Sequence, residues 1–180
     1  MKKILIINGH PNKESYNFAL HSKYKQGAFR SDGEIKEIIT TELKFNLILQ
    51  YGYSKRTELE TDLLEAWKKV QWADHIVWIF PMWWGMMPAL LKGFIDRMFL
   101  PGFAFQYKEN SPMWDKLLKG KTSHILCTID YPVWYYKWVL REPGINAMKK
   151  MILGFCGIKT TKVTYIGPVR GSSQMQREEW

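Results

Sequence analysis

At 180 residues and 46% hydrophobic content, the chain is long enough to bury an ordinary core and short enough to be expected as one domain over 1–180. Its 26 Lys and Arg against 17 Asp and Glu give a net charge of +9, but the basic residues are scattered or paired. No zinc-finger, RNP or helix-turn-helix pattern occurs, so nucleic acid is excluded as the expected partner. No apolar run approaches the ~18 residues of a spanning helix, and "MKKILIING" is too short for a secretory h-region. Cys127 and Cys156 lack metal-ligand spacing, so a cytoplasmic protein with reduced thiols and no metal is expected.

In chain order, "KKILIIN" is a β-branched run suited to a strand buried on both faces, and "SYNFALHSKYKQGAF" follows with Phe18, Tyr24 and Ala28 at helical spacing. "EIKEIIT" reads as a second strand. After an irregular stretch over 41–57, Leu59, Leu63, Leu64, Trp67, Val70 and Trp72 mark an amphipathic helix. "DHIVWIF" is a third strand. Pro88 fits the first turn of the next helix, where Leu90, Leu91, Phe94, Ile95, Met98 and Phe99 recur at three and four. "TSHILCTI" predicts a fourth strand, 145–156 a helix and "KVTYIGP" a fifth strand. Strands alternating with helices predict a parallel sheet, because parallel neighbours need crossovers. The common solution at this length is the flavodoxin-like three-layer sandwich, with strand order 2-1-3-4-5, helices on both faces, and its ligand at the carboxyl ends of strands 1, 3 and 4.

That topology brings "NGHPNKESYNFAL", "PMWWGM" and "DYPVWYY" to one rim. In the first loop, Ser15 is placed as a helix N-cap with Tyr16 and Asn17 behind it, an arrangement that serves equally as a plain cap or as a phosphate site. The second loop, with Trp83, Trp84 and its methionines, is too apolar for an ordinary surface turn; it suits a flat ligand, or packing against a core or a partner. Together the loops suggest a flavin site. Neither the P-loop nor the G-x-G-x-x-G fingerprint occurs.

"GHPNKESYNFAL" followed by "FPMWWGMMPALLKGFIDRMFLPGFAF" resembles the NAD(P)H:quinone oxidoreductases of the flavodoxin-like fold, including short bacterial members related to modulator of drug activity B and to the ancillary proteins of glutathione-gated potassium efflux. The likeness runs from Ile4 to about Pro168. It implies that His10, Ser15, Tyr16 and Asn17 hold a flavin phosphate, while Pro81, Met82, Trp83, Trp84 and Gly85 line the isoalloxazine. The third loop departs from the pattern: where better-known members have Thr-Thr-Gly-Gly, this chain has Thr128, Ile129, Asp130, Tyr131 and Pro132. A carboxylate there opposes the charge of a reduced flavin. Either Asp130 turns away, towards Arg141 or a lysine, or the loop is arranged differently. Tyr131 and Trp134, with Tyr135, stand as replacements for the family's catalytic tyrosine and histidine, or as packing.

The resemblance implies FMN, with FAD as the alternative, NAD(P)H as hydride donor, a quinone-like acceptor, a ping-pong cycle and a homodimer. Two other readings compete. One is a flavin-binding regulator of a membrane transporter; separately, the aromatic run from Tyr131 to Trp138, beside Lys137 and Arg141, reads as a substrate lid or as a membrane-surface contact that collects lipid quinones. The other is a one-electron flavodoxin-type carrier, which the +9 charge opposes.

Overall fold

The computed structural model describes residues 1–180. Its elements are β1 (Lys2–Asn8), α1 (Tyr16–Arg30), β2 (Gly33–Ile39), α2 (Thr61–Trp72), β3 (His75–Pro81), α3 (Ala89–Met98), β4 (Phe105–Tyr107), β5 (Trp114–Lys116), β6 (Thr122–Thr128) and β7 (Lys159–Ile166). A helical run precedes β7, with a π-helical stretch Ala147–Leu153 between Pro143–Asn146 and Gly154–Cys156, and a short terminal helix spans Gln174–Glu179. Five strands form one parallel sheet in the order β2-β1-β3-β6-β7. This is the expected 2-1-3-4-5 once the separate hairpin is set aside.

The sheet's period of two divides its side chains between two clusters. Leu5 and Ile7 of β1 join Ile76, Trp78 and Phe80 of β3, packed with Leu63, Trp67, Leu91 and Phe94. Ile4 and Ile6 join Val77 and Ile79, packed with Leu20 and Ala28. Full burial of such an aliphatic side chain contributes about 1.5–3 kcal/mol, so a one-residue slip of either strand would expose the whole set. Register is therefore fixed, and Asn8, Pro81 and Thr128 end their strands at the same edge.

Several boundaries differ from the sequence expectation. Pro88 occupies the N-cap of α3, one position before its first turn, with extended ψ. The predicted helix over 145–156 begins at Pro143, and β7 begins at Lys159, three residues before the expected Lys162. The antiparallel pair β4–β5 was not expected, nor was the terminal helix, although Ser173 and Gln176 form a capping box there.

His124 of β6 is buried, with Nε2 2.8 Å from Thr164 Oγ1 and Nδ1 3.3 Å from the Tyr24 hydroxyl. Burial, and secondarily Lys162 and His75, lower its pKa from 6.5 to about 4. Between those values the unfolded chain binds a proton that the folded chain refuses, so stability held above pH 6.5 is lost as pH falls towards about 4. Urea unfolding at pH 7 and pH 5 is expected to show this loss in the wild type and a smaller one in His124→Gln. Equal losses would remove His124 as the cause.

Candidate active site

The loop after β1 is built by short local hydrogen bonds. The His10 amide donates to Asn8 Oδ1 (3.0 Å), the Asn12 amide to His10 Nδ1 (3.0 Å) and the Glu14 amide to Asn12 Oδ1 (2.9 Å). Burial lowers the pKa of His10, against the opposing effect of the Asn12 bond, so the ring is neutral at pH 7 with Nδ1 as acceptor. Gly9 permits the loop to lie on α3, since a Cβ there would sit 2.7 Å from Leu91 Cδ2.

Ser15 takes the extended N-cap conformation, but its side chain caps nothing. Its buried Oγ has no partner, nor has the buried Nδ2 of Asn17, while the Tyr16 and Asn17 amides make no intramolecular hydrogen bond. Unmet donors of this kind are uncommon in a buried setting. Thr128 Oγ1 donates to Asn17 Oδ1 (2.9 Å), which fixes the carboxamide and leaves its NH2 without a partner. Tyr16 contributes only its backbone: its hydroxyl donates to the Arg177 carbonyl (2.6 Å) and its ring lies 6.3 Å from that of Trp180. The terminal helix thus closes one side of the α1 N-terminus.

The second loop is a reciprocal turn. Trp83 and Met86 exchange both backbone bonds at 2.9 Å, and Trp84 (φ 52°) and Gly85 (φ 74°) between them adopt the paired positive φ of a type I′ turn. A bulky residue at positive φ costs on the order of 1–3 kcal/mol, and Trp84 bears it with a side chain fully exposed to solvent. Pro81 ends β3 and has no amide hydrogen, and the Met82 amide is spent on the Thr128 carbonyl (2.7 Å). Of the five residues expected to line a ring, only Trp84 and Gly85 therefore keep free amides. Trp83 turns its indole edge-on to His10 at 5.6 Å, joining the first loop to the second.

In the third loop, Ile129 is buried with its amide bound to the Ile166 carbonyl (2.9 Å), leaving the Asp130 and Tyr131 amides free. Asp130 Oδ1 accepts from the Arg170 amide (2.8 Å), a partner that is neither Arg141 nor a lysine. Tyr131 keeps a buried, unpartnered hydroxyl, and burial raises its pKa, with Cys127 adding to the shift. Trp134 is half exposed with its ring 5.8 Å from that of Tyr135, so it stands at the margin of the cluster and not within it. The sequence pointed past Tyr136 to its neighbours, yet Tyr136 is the fully buried member, and its hydroxyl meets the Gly85 carbonyl at 3.1 Å.

His10, Ser15, Asn17, Thr128, Tyr131 and the Trp83–Met86 turn are thus drawn to one rim. The clefts lined by Leu49, Tyr53 and Phe103 and by Ile95, Phe105 and Phe155 share no residue with it.

The family model of the flavodoxin-like fold matches residues 2–179. A Mus musculus ribosyldihydronicotinamide dehydrogenase (quinone) is 31% identical over 191 residues, covering 88% of this chain and 78% of that protein. A Streptococcus mutans UA159 protein of solved structure superposes with a TM-score of 0.80 at 31% identity, over 98% of this chain and 93% of that one. A Bacillus anthracis FMN-dependent NADH-azoreductase, solved in complex with FMN, shares the fold at TM-score 0.75 and 19% identity, over 99% and 93% of the two chains. With a family match along nearly its whole length and a quinone dehydrogenase relative over most of it, the chain belongs to the flavodoxin-like NAD(P)H:quinone oxidoreductases.

Proposed function

We propose that the protein is a flavin-dependent NAD(P)H:quinone oxidoreductase of the cytoplasm, one three-layer domain with helices on both faces, which holds FMN across the three rim loops. The observation that carries this reading is the set of unmet donors at the start of α1. Ser15 Oγ, Asn17 Nδ2 and the amides of Tyr16 and Asn17 all belong to the start of α1, where a helix N-terminus favours an anion, and a phosphate monoester would supply the acceptors they lack.

Bound FMN would supply two-electron hydride chemistry between NAD(P)H and a planar acceptor, in a ping-pong cycle. The chain's part is orientation. Thr128 aims the Asn17 carboxamide, and the free amides of Trp84, Gly85, Asp130 and Tyr131 are the donors for the polar edge of the ring system. Burial keeps the Tyr131 hydroxyl protonated at neutral pH, so it serves as a donor, and the turn of Asp130 towards Arg170 moves its charge off the ring. Trp83, Trp84 and, at the margin, Trp134 form the apolar wall on which nicotinamide and quinone lie in succession.

Trp84, Trp138, Val139 and Leu140 are exposed around this rim, more apolar surface than a planar ligand covers, and a two-fold related second copy accounts for it as a homodimer. A second reading, contact with a membrane surface or a transporter, is favoured by the same exposed run lying beside Lys137 and Arg141. Retention on anionic vesicles by the dimer would support it.

Steady-state oxidation of NADH and NADPH by the FMN-loaded protein, with and without benzoquinone, tests the main reading. Acceptor-dependent turnover with parallel double-reciprocal lines is expected; no dependence on the quinone would overturn it. In the same assay, Trp84→Ala is expected to lower kcat/KM while changing unfolding free energy by less than about 0.5 kcal/mol, the range for an exposed side chain. A loss of about 3 kcal/mol or more would assign the indole to the core instead.

A further inference from the structure

Tyr136 sits at the crossing of the second and third loops. It is fully buried, and its hydroxyl has three backbone partners: it donates to the Gly85 carbonyl (3.1 Å) and accepts from the Gly144 amide (3.1 Å) and the Ile145 amide (3.3 Å). Its ring lies 5.7 Å from that of Tyr131 and 5.9 Å from that of Tyr165. The arrangement requires glycine at 144, where a Cβ would stand 2.2 Å from the Gly85 carbonyl oxygen. Arg141 (φ 59°) and Glu142 (φ 53°) bend the chain into this contact, and Glu142 is secured by the Tyr165 hydroxyl, which donates to its carboxylate at 2.6 Å.

Three hydrogen bonds on one hydroxyl are more than packing requires, and one of them ends on the strained turn. Trp84 holds an unfavourable φ in a turn that has only its two reciprocal bonds to close it, and strain persists where surroundings over-determine the backbone. We infer that Tyr136 is a positioning residue for the flavin: its hydroxyl pins the Gly85–Met86 peptide so that the free amides and indole of the turn are presented in one geometry. The inference rests on the flavin reading of the rim. Burial raises the Tyr136 pKa to about 12, against the two amide bonds, so the hydroxyl remains the donor that Gly85 needs throughout the working pH range.

The test is Tyr136→Phe, which keeps the ring and removes the hydroxyl. Hydrogen exchange of the Trp83 and Met86 amides in flavin-free protein is expected to accelerate about tenfold or more, the effect of losing one hydrogen bond's support. FMN affinity, measured by flavin fluorescence, is expected to fall about tenfold, with the visible spectrum of bound FMN shifted, as for lost supporting contacts around a cofactor. Gly144→Ala, which keeps the hydroxyl but forces the Gly85 carbonyl away, should reproduce both changes. If both variants show wild-type exchange at the turn, the pin does not exist. If exchange rises while FMN affinity and spectrum stay at wild-type values, the pin is structural only and the positioning role is overturned. A wild-type protein that binds no FMN would instead refute the flavin reading, and the exchange result would still decide the pin.

Discussion

Replacing Asn17 with alanine is expected to weaken FMN binding about 10- to 150-fold, the 1.5–3 kcal/mol typical of a hydrogen bond to a charged group. The side chain is buried, its Nδ2 has no partner in the chain, and Thr128 Oγ1 holds its Oδ1 at 2.9 Å, so removing it deletes a donor that nothing else replaces. Thr128→Val should give a smaller loss, because it frees the carboxamide to rotate but leaves it present. Titration of the apoprotein with FMN, followed by flavin fluorescence, reads both constants. An Asn17→Ala protein with wild-type affinity would remove the phosphate from the start of α1.

The largest stability effect is expected at Arg97. Its guanidinium is 1% exposed and bridges α3 to the loop before α2, donating to Glu60 Oε2 at 2.7 Å, to the Asn46 carbonyl at 2.5 Å and to the Glu58 carbonyl at 3.1 Å. Arg97→Ala strands a carboxylate and two carbonyls, a change that costs about 3–5 kcal/mol when the pair is buried; because Glu60 is one-third exposed, the lower end applies. Arg97→Lys should recover little of it, since one ammonium cannot span three acceptors in a fixed plane. Denaturant midpoints measure this, and a loss below about 1 kcal/mol for the alanine variant would show that the network is no stronger than a surface pair.

The sheet was legible because β1, β3 and β6 are short apolar runs suited to buried strands of a parallel sheet, and α2 and α3 carry a clear helical stripe. The hairpin Phe105–Tyr107 with Trp114–Lys116 was not, because strands of three residues leave no period to count. At the rim, sequence placed Ser15 at the helix start but could not show that its hydroxyl stays unbonded, since a capping and a non-capping serine are the same letter. Asp130 found its partner 40 residues away in the backbone of Arg170, where a search for opposite charge does not look. Tyr136 escaped for a related reason. In "VWYYKW" any aromatic is equally plausible, and the π-helical turn over Tyr135–Val139 decides which one points inward.

In the proposed function, the rim loops hold a flavin that passes hydride from NAD(P)H to a quinone. The most direct measurement is anaerobic rapid mixing of the FMN-loaded, gel-filtered protein with NADPH, followed by a benzoquinone. The yellow absorbance of the bound flavin is expected to bleach on the first addition and to return on the second, with equal amounts of NADPH and quinone consumed. FMN that does not travel with the protein through gel filtration, or that stays fully coloured after NADPH, would contradict the account.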